Sequence, residues 1–173
     1  MNGRKPKLFY GKHRGTVINN IDPMQMGRLL VQVPDVLGLT TSSWAMPSVP
    51  IAGTQMGMYA IPQVGTGVWV EFEQGDADYP VWTGCWWGSG SEVPGLGLGT
   101  PSPVPHIVLQ TTLQNAILVS DLPGPTGGIM LKLSTGAMIT INETGITIQN
   151  GQGASIALVG PSVSINNGAL TIT

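Results

Sequence analysis

The chain has 173 residues, 42% of them hydrophobic and 9% charged, and carries a net charge of −2. A typical soluble domain is about 25% charged, so much of this surface must be covered by partners or dressed in Thr, Ser, Asn and Gln. The charge balance gives no electrostatic reason to bind nucleic acid, the single cysteine excludes an internal disulfide or a thiolate zinc site, and no stretch reaches the ~20 apolar residues of a membrane span.

The chain begins with a basic arm, residues 1–9. Most of the seven lysines and arginines lie in the first 14 positions, as Arg4, Lys5, Lys7, Lys12 and Arg14. No apolar segment follows, so no secretory signal is read and the protein is expected to be made in the cytoplasm. A solvated tail accounts for such an arm; the sharper reading is docking on an acidic partner through Arg4, Lys5 and Lys7.

Residues 10–88 are predicted to form a compact β domain. Strands are expected over 12–19, 28–33, 44–45, 68–72 and 81–82, with turn signals such as Asp22-Pro23, Gly75-Asp76 and Tyr79-Pro80 between them. No window holds a helical period. Short strands in this number suggest a small closed barrel of OB-like, Greek-key type. Trp69 between Val68 and Val70, with Phe72 following, marks a heavily apolar strand, and Cys85 between Gly84 and Trp86 reads as a small buried hydrophobe.

A Gly/Pro connector covers 89–106. Pro94, Pro101, Pro103 and Pro105 cannot donate to a sheet, so an extended surface path is expected. Residues 107–173 then form a repeating region. Longer strands around 108–111 and 116–119 and a wide turn at 121–128 lead into short alternating runs at 129–133, 137–141, 145–149, 154–158, 162–166 and 169–173. Each alternates at period two and ends in a breaker such as Asn150-Gly151 or Gly160-Pro161. A fixed short period of strands implies a winding β-helix or β-prism. Such strands bury too little apolar surface alone, so the core must close with other copies, and pairing of strands between chains is expected. Candidates for the shared axis are Ile139, Ile141, Ile146, Ile148, Ile156, Leu158, Val163, Ile165, Leu170 and Ile172. The pattern continues to the last position, which makes Leu170, Thr171, Ile172 and Thr173 a template for another β-protein.

Catalytic chemistry is sparse. His13 and His106 have no His, Cys or carboxylate at ligand spacing. Glu71 and Glu73 share one strand face and Asp76 and Asp78 follow in a turn, an arrangement that solvated surface explains better than calcium or acid–base work. No phosphate loop, nucleophile elbow or zinc-protease motif occurs. No cofactor and no metal are expected. Binding of single-stranded nucleic acid by a barrel needs basic residues among stacking aromatics. Trp44, Tyr59, Trp69, Trp82, Trp86 and Trp87 are present, but Arg28 is the only basic residue between 15 and 131. The aromatics are therefore assigned to core and subunit interfaces.

The order of motifs over 10–84 resembles the OB-like domain of phage baseplate assembly protein V and the VgrG spike proteins of contractile injection machines. The pieces are YGKHRGTV at 10–17, NIDP at 20–23, GRLLVQVP at 27–34, Ser43-Trp44, PQVG at 62–65, VWVEF at 68–72, Gly75-Asp76 and PVWTG at 80–84. The repeats after Gly128 resemble the same family's trimeric β-prism needle. The resemblance implies a non-enzymatic homotrimer: the central spike of a contractile tail, docked on a baseplate hub and piercing an envelope on sheath contraction, without stable membrane insertion. A PAAR-like tip protein is the further partner implied. Departures from the family are the lack of a lysozyme domain between barrel and needle and the lack of any histidine after His106 for a metal apex. The alternative is a trimeric tail-fibre or adhesin segment that binds surface glycan, against which 107–173 contain no Trp, Tyr or Phe. A glycan hydrolase would need paired carboxylates, and this region offers only Asp121 and Glu143.

Overall fold

A computed structural model describes residues 7–101 and 103–172, without the side chain of Thr171. Arg4 and Lys5 of the expected docking arm, and Thr173 of the expected tip-binding end, lie outside the described residues. The chain separates into two compact units, Met1–Glu92 and Val93–Thr173.

The first unit is built on β1 (His13–Asn19), β2 (Leu30–Gln32), β3 (Met46–Pro47), β6 (Gly67–Phe72) and β7 (Pro80–Trp86), with a small hairpin of β4 (Ala52–Gly53) and β5 (Met56–Gly57) set apart. The five-stranded sheet runs β2-β1-β6-β7-β3. Its two edges meet, because Leu29 and Ala45 exchange backbone hydrogen bonds at 3.1 and 2.8 Å and Ser42 donates to Val31 at 2.9 Å. The sheet therefore closes on itself as a barrel. Alternation fills the interior: Val68, Val70 and Phe72 of β6 point inward and join Val17, Leu29, Val31, Val33, Ala45 and Trp82 in one core. The indole of Trp82 keeps its N–H satisfied by donating to the Gly27 carbonyl at 3.0 Å.

Several local expectations are revised. Where no helical period is expected, residues 34–37 form the one-turn helix α1 (Pro34–Leu37); proline suits a helix start, and Gly38, with φ of 61°, ends it. Cys85 is exposed rather than buried: an extra residue at Thr83 shifts the β6–β7 register, so Cys85 pairs with Val68 near the end of β7, beyond Trp82, the last residue of that strand in the core. The chain from Lys7 is packed on the barrel rather than solvated. Phe9 donates its N–H to Gly75 at 2.8 Å and lies against the rings of Phe72 and His13, and the Lys7 ammonium sits 4.9 Å above the Phe9 ring. His13, wedged between Phe9 and Phe72, is a packing residue with its Nε2 enclosed.

The loop from 20 to 28 is held by an enclosed ion pair. The Asp22 carboxylate accepts from the Arg28 guanidinium at 2.6 Å and from the backbone N–H groups of Met24, Met26 and Arg28 at 3.0, 2.9 and 3.2 Å. Arg28 in turn lies 5.4 Å from the centre of the Trp44 ring. The guanidinium, and after it these N–H groups, hold the Asp22 carboxyl well below the usual carboxylate range, against the opposing effect of desolvation. The sign follows directly: a depressed folded pKa stabilises fully above the unfolded value near pH 4 and is lost as pH falls through the folded value. Asp22→Asn should lower the thermal midpoint at pH 7. Its deficit relative to the parent chain should shrink between about pH 4 and pH 2 in melts followed by near-ultraviolet circular dichroism. A deficit independent of pH would show that the charge is not what holds the loop.

The second unit opens with a short helix, α2 (Gly95–Leu98), so the connector is not extended throughout. It continues as β8 (His106–Gln110), β9 (Ala116–Ser120), β10 (Gly128–Lys132), β11 (Ala137–Asn142), β12 (Gly145–Asn150), β13 (Ser155–Val159), β14 (Ser162–Ile165) and β15 (Leu170–Ile172). These strands form one eight-stranded sheet in strict chain order. The expected pairing between chains is therefore corrected: each strand pairs antiparallel with its neighbour in the same chain. Turn geometry is the reason. The links are too short for anything but hairpins. At Gly145 and Gly151 the backbone is left-handed (φ of 143° and 75°) and a Cβ would collide with neighbouring carbonyls of Leu158 and Thr135, so these turns demand glycine.

Candidate functional site

Register gathers the expected axis residues onto one face. Ile139 lies opposite Ile148, Ile148 opposite Ile156, Ile156 opposite Ile165 and Ile165 opposite Leu170. A second row runs through Ile141, Ile146, Leu158, Val163 and Ile172. All ten candidates thus fall in two parallel rows, one residue of each row from each strand.

The rows do not stop where the sequence reading stopped. Ile141 faces Ile129, which faces Val119, which faces Ile107; Ile139 faces Leu131, which faces Ile117, which faces Leu109. These six residues belong to the same face and had been missed. The signal for them was present, since β8, β9 and β10 alternate at the same period, but the two strands before the wide turn were set apart from the repeats. Every strand of the sheet therefore presents two aliphatic side chains in these rows, and Asn150, opposite Ala137, is a polar residue of the same face at the end of β12.

This face is open in the single chain. Ile107 is 67% exposed, Ile148 43% and Ile172 57%. The reverse face differs. Leu118 is buried there, paired with Val108 on one side and Met130 on the other, and beyond β10 the face is small and mostly polar, with Thr140, Thr147, Ala157 and Ser164 in cross-strand line. Exposed apolar patches larger than a few hundred Å² mark interaction sites in soluble proteins. Enclosing each Ile, Leu or Val contributes roughly 1.5–3 kcal/mol before entropy is subtracted. A continuous ladder of such residues is a face built to be covered by another like it.

The two sheet margins are tied together by side chains. On one margin the Asn115 carbonyl oxygen accepts from Ser134 N–H at 2.9 Å, and that of Asn166 accepts from Ser155 N–H at 3.0 Å. On the other, Glu143 accepts from Gly124 N–H at 2.7 Å and the Asn142 amide donates to the Pro125 carbonyl at 3.0 Å. Successive turns are thereby linked to one another as well as to their own strands.

The remaining residues singled out by sequence are not brought together. Glu71 pairs with Lys12 at 2.7 Å on the barrel surface, where both are largely exposed. The Asp76 carboxylate accepts from Asp78 N–H in a turn, and the His106 Nδ1 lies 2.9 Å from the Val104 carbonyl. Among the described residues no three His, Cys, Asp or Glu side chains gather at metal-binding distance, and no helix is long and apolar enough to cross a membrane. Of the aromatics, Trp82 is core, while Trp69 and Trp86 lie 6.3 Å apart with the Arg14 guanidinium 5.6 and 5.0 Å from their ring centres.

Comparison with protein families assigns both units. Residues 13–87 match the model of the type VI secretion system/phage-baseplate injector OB domain. Residues 106–171 match the phage baseplate V C-terminal trimerisation domain. A search of curated proteins gives no match. The barrel coincides with the first of these domains and the aliphatic sheet with the second, so the chain belongs to the phage baseplate V and VgrG-like family of spike proteins, with a structural role in the baseplate.

Proposed function

We propose that three copies of this chain form the central spike of a contractile tail or injection machine. The barrels dock on the baseplate hub and the sheets form a needle that pierces the target envelope on sheath contraction. The observation that carries this reading is the unbroken two-row aliphatic face. Three such faces turned towards a common axis give a dry core, with Ile139, Ile141, Ile146, Ile148, Ile156, Leu158, Val163, Ile165, Leu170 and Ile172 on it, and Ile107, Leu109, Ile117, Val119, Ile129 and Leu131 extending it. The work is mechanical: sheath contraction supplies the force, and the needle transmits it without catalysis or cofactor.

The ends have separate roles. Arg4, Lys5 and Lys7 are assigned to hub contact, although Lys7 is already engaged above Phe9. At the other end β15 is paired only with β14 among the described residues, which leaves Leu170, Thr171, Ile172 and Thr173 as the surface for a PAAR-like tip added by β-augmentation. Electron microscopy of intact particles carrying a labelled copy should show density at the distal, baseplate end; label along the sheath or on the fibres would refute the spike assignment.

Replacing an axial residue by a charge tests the core. Ile148→Asp should abolish the trimer in light scattering, because three unpaired carboxylates at one level cost several kcal/mol each. Gln149→Ser, on the opposite face, should leave it intact. Equal tolerance of both changes would show that the inward face is misassigned.

Removal of residues 169–173 tests the distal end. The shortened chain should still trimerise, since every other strand keeps its two aliphatic residues, but should no longer retain a PAAR-like tip protein in pull-down. Undiminished retention would exclude β15 as the docking edge.

A further inference from the structure

The charges of the second unit are few and segregated. Within Val93–Thr173 the only lysine or arginine is Lys132, and the only acidic side chains are Asp121 and Glu143. Register places them on opposite margins of the sheet. Lys132 ends β10 opposite Ala116 and Met138, on the margin that holds the β8–β9 and β10–β11 turns. Asp121 follows Ser120, which faces Gly128 at the other end of the same strand pair. Glu143 lies in the β11–β12 turn on that acidic side.

Among the described residues neither the Lys132 ammonium nor the Asp121 carboxylate has an ion-pair partner. Lys132 is half-buried beside Gly95, Leu96, Gln110 and Gln114, none of them charged. The ion pairs among the described residues are Lys12–Glu71 and Arg28–Asp22, and Lys132 is in neither. Asp121 is exposed. Glu143, by contrast, is occupied by Gly124 N–H. Ile129 and Leu131 belong to the aliphatic face, so by alternation Lys132 leaves from the outer one.

In a closed ring of three identical sheets each joint is heterologous: one margin of a copy meets the opposite margin of the next. Rotation about the axis preserves height, so equivalent strand levels coincide. We propose that Lys132 of one copy pairs with Asp121 of the next at each of the three corners, and that this pair fixes the axial register of the chains. The inference rests on the threefold assembly proposed above. Asp121 is favoured over Glu143 because it stands in the turn that leads directly into β10, the strand of Lys132, and its carboxylate is open, whereas the Glu143 carboxylate already accepts from Gly124 N–H at 2.7 Å.

A register device is needed because the aliphatic rows supply none. Each strand offers nearly the same pair of Ile, Leu or Val residues, so one chain displaced along the axis by two strands, about 10 Å, would still bury apolar surface against apolar surface. A single charged level removes that degeneracy, as one polar position sets register in a coiled coil. It also explains why a region so poor in charge places its one lysine on the margin opposite its acids.

Zero-length carbodiimide coupling of the full chain tests the contact directly. It should give covalent trimers on denaturing gels, and mass spectrometry should find the Lys132 amine joined to the Asp121 carboxyl. Lys132→Glu and Asp121→Lys should each raise the concentration for half-assembly by about tenfold, from three exposed pairs turned repulsive. The double reversal should recover most of that loss. A chain that is trimeric in light scattering but shows no Lys132–Asp121 link, or whose double reversal is no better than the single changes, overturns the pair and leaves the trimer standing. Rescue of Lys132→Glu by Glu143→Lys in place of Asp121→Lys overturns it equally. A chain that stays monomeric removes the threefold reading itself.

Discussion

An antiparallel sheet has two faces, and in the second unit of this chain only one of them has any cover from its own polypeptide. The outer face near β8–β10 has α2 and the connector beside it, and its later strands carry Thr, Ser and Ala that water can serve. The aliphatic face carries two unbroken rows of Ile, Leu and Val in register. That single mismatch between apolar surface and available cover dictates the rest. It forces association, it selects a partner with the same flat, two-residue-wide stripe, and it leaves no place on the axis for a polar group that would have to be desolvated.

The two units solve the burial problem in opposite ways. The first encloses Val17, Leu29, Val31, Val68, Val70 and their neighbours within one chain, because its sheet curls until Leu29 and Ala45 meet. The polar groups of its longest loop are gathered by one carboxylate, Asp22, so the loop needs no partner to be ordered. Among the described residues of the second unit only Ala116, Leu118, Ser120 and Gly127 are buried in the single chain. Its strands form consecutive hairpins, whose contacts are local and whose loop closure is cheap in entropy. The sheet can therefore be laid down hairpin by hairpin while its stability is deferred to assembly.

The sequence showed which side of each strand is apolar, because alternation at period two survives any choice of partner. It did not show which strand lies next to which, since face and neighbour are separate properties. The expectation of pairing between chains failed on turn length: links as short as Asn142–Gly145 return the chain beside itself. Parity could not place Cys85, because the register of β7 shifts at Thr83, between Trp82 and Gly84, and the alternation does not carry across that shift. The apolar character of β6 was legible, but which of its residues face inward, and that Trp82 joins them, came only with the fold. The packing of Phe9 on Gly75 and Phe72 was not, because a basic arm carries no signal for a single anchoring ring.

The orientation of the strands bears on the proposed mechanical role. In a meander the backbone hydrogen bonds run across the strands, which is the direction of the aliphatic rows. If the rows follow the needle axis, an axial load falls on every ladder bond of the sheet at once rather than on the turns. The turns are stiffened separately by Asn115, Asn142, Glu143 and Asn166, which tie each margin from one level to the next. β-Branched isoleucines, confined at χ1, fill the interior with side chains that have few ways to give. Stiffness then comes from three sources that fail independently: the ladder, the margins and the dry axis. Bending such a shaft would require slip between neighbouring sheets, and slip is the motion that a charge pair at a single level opposes.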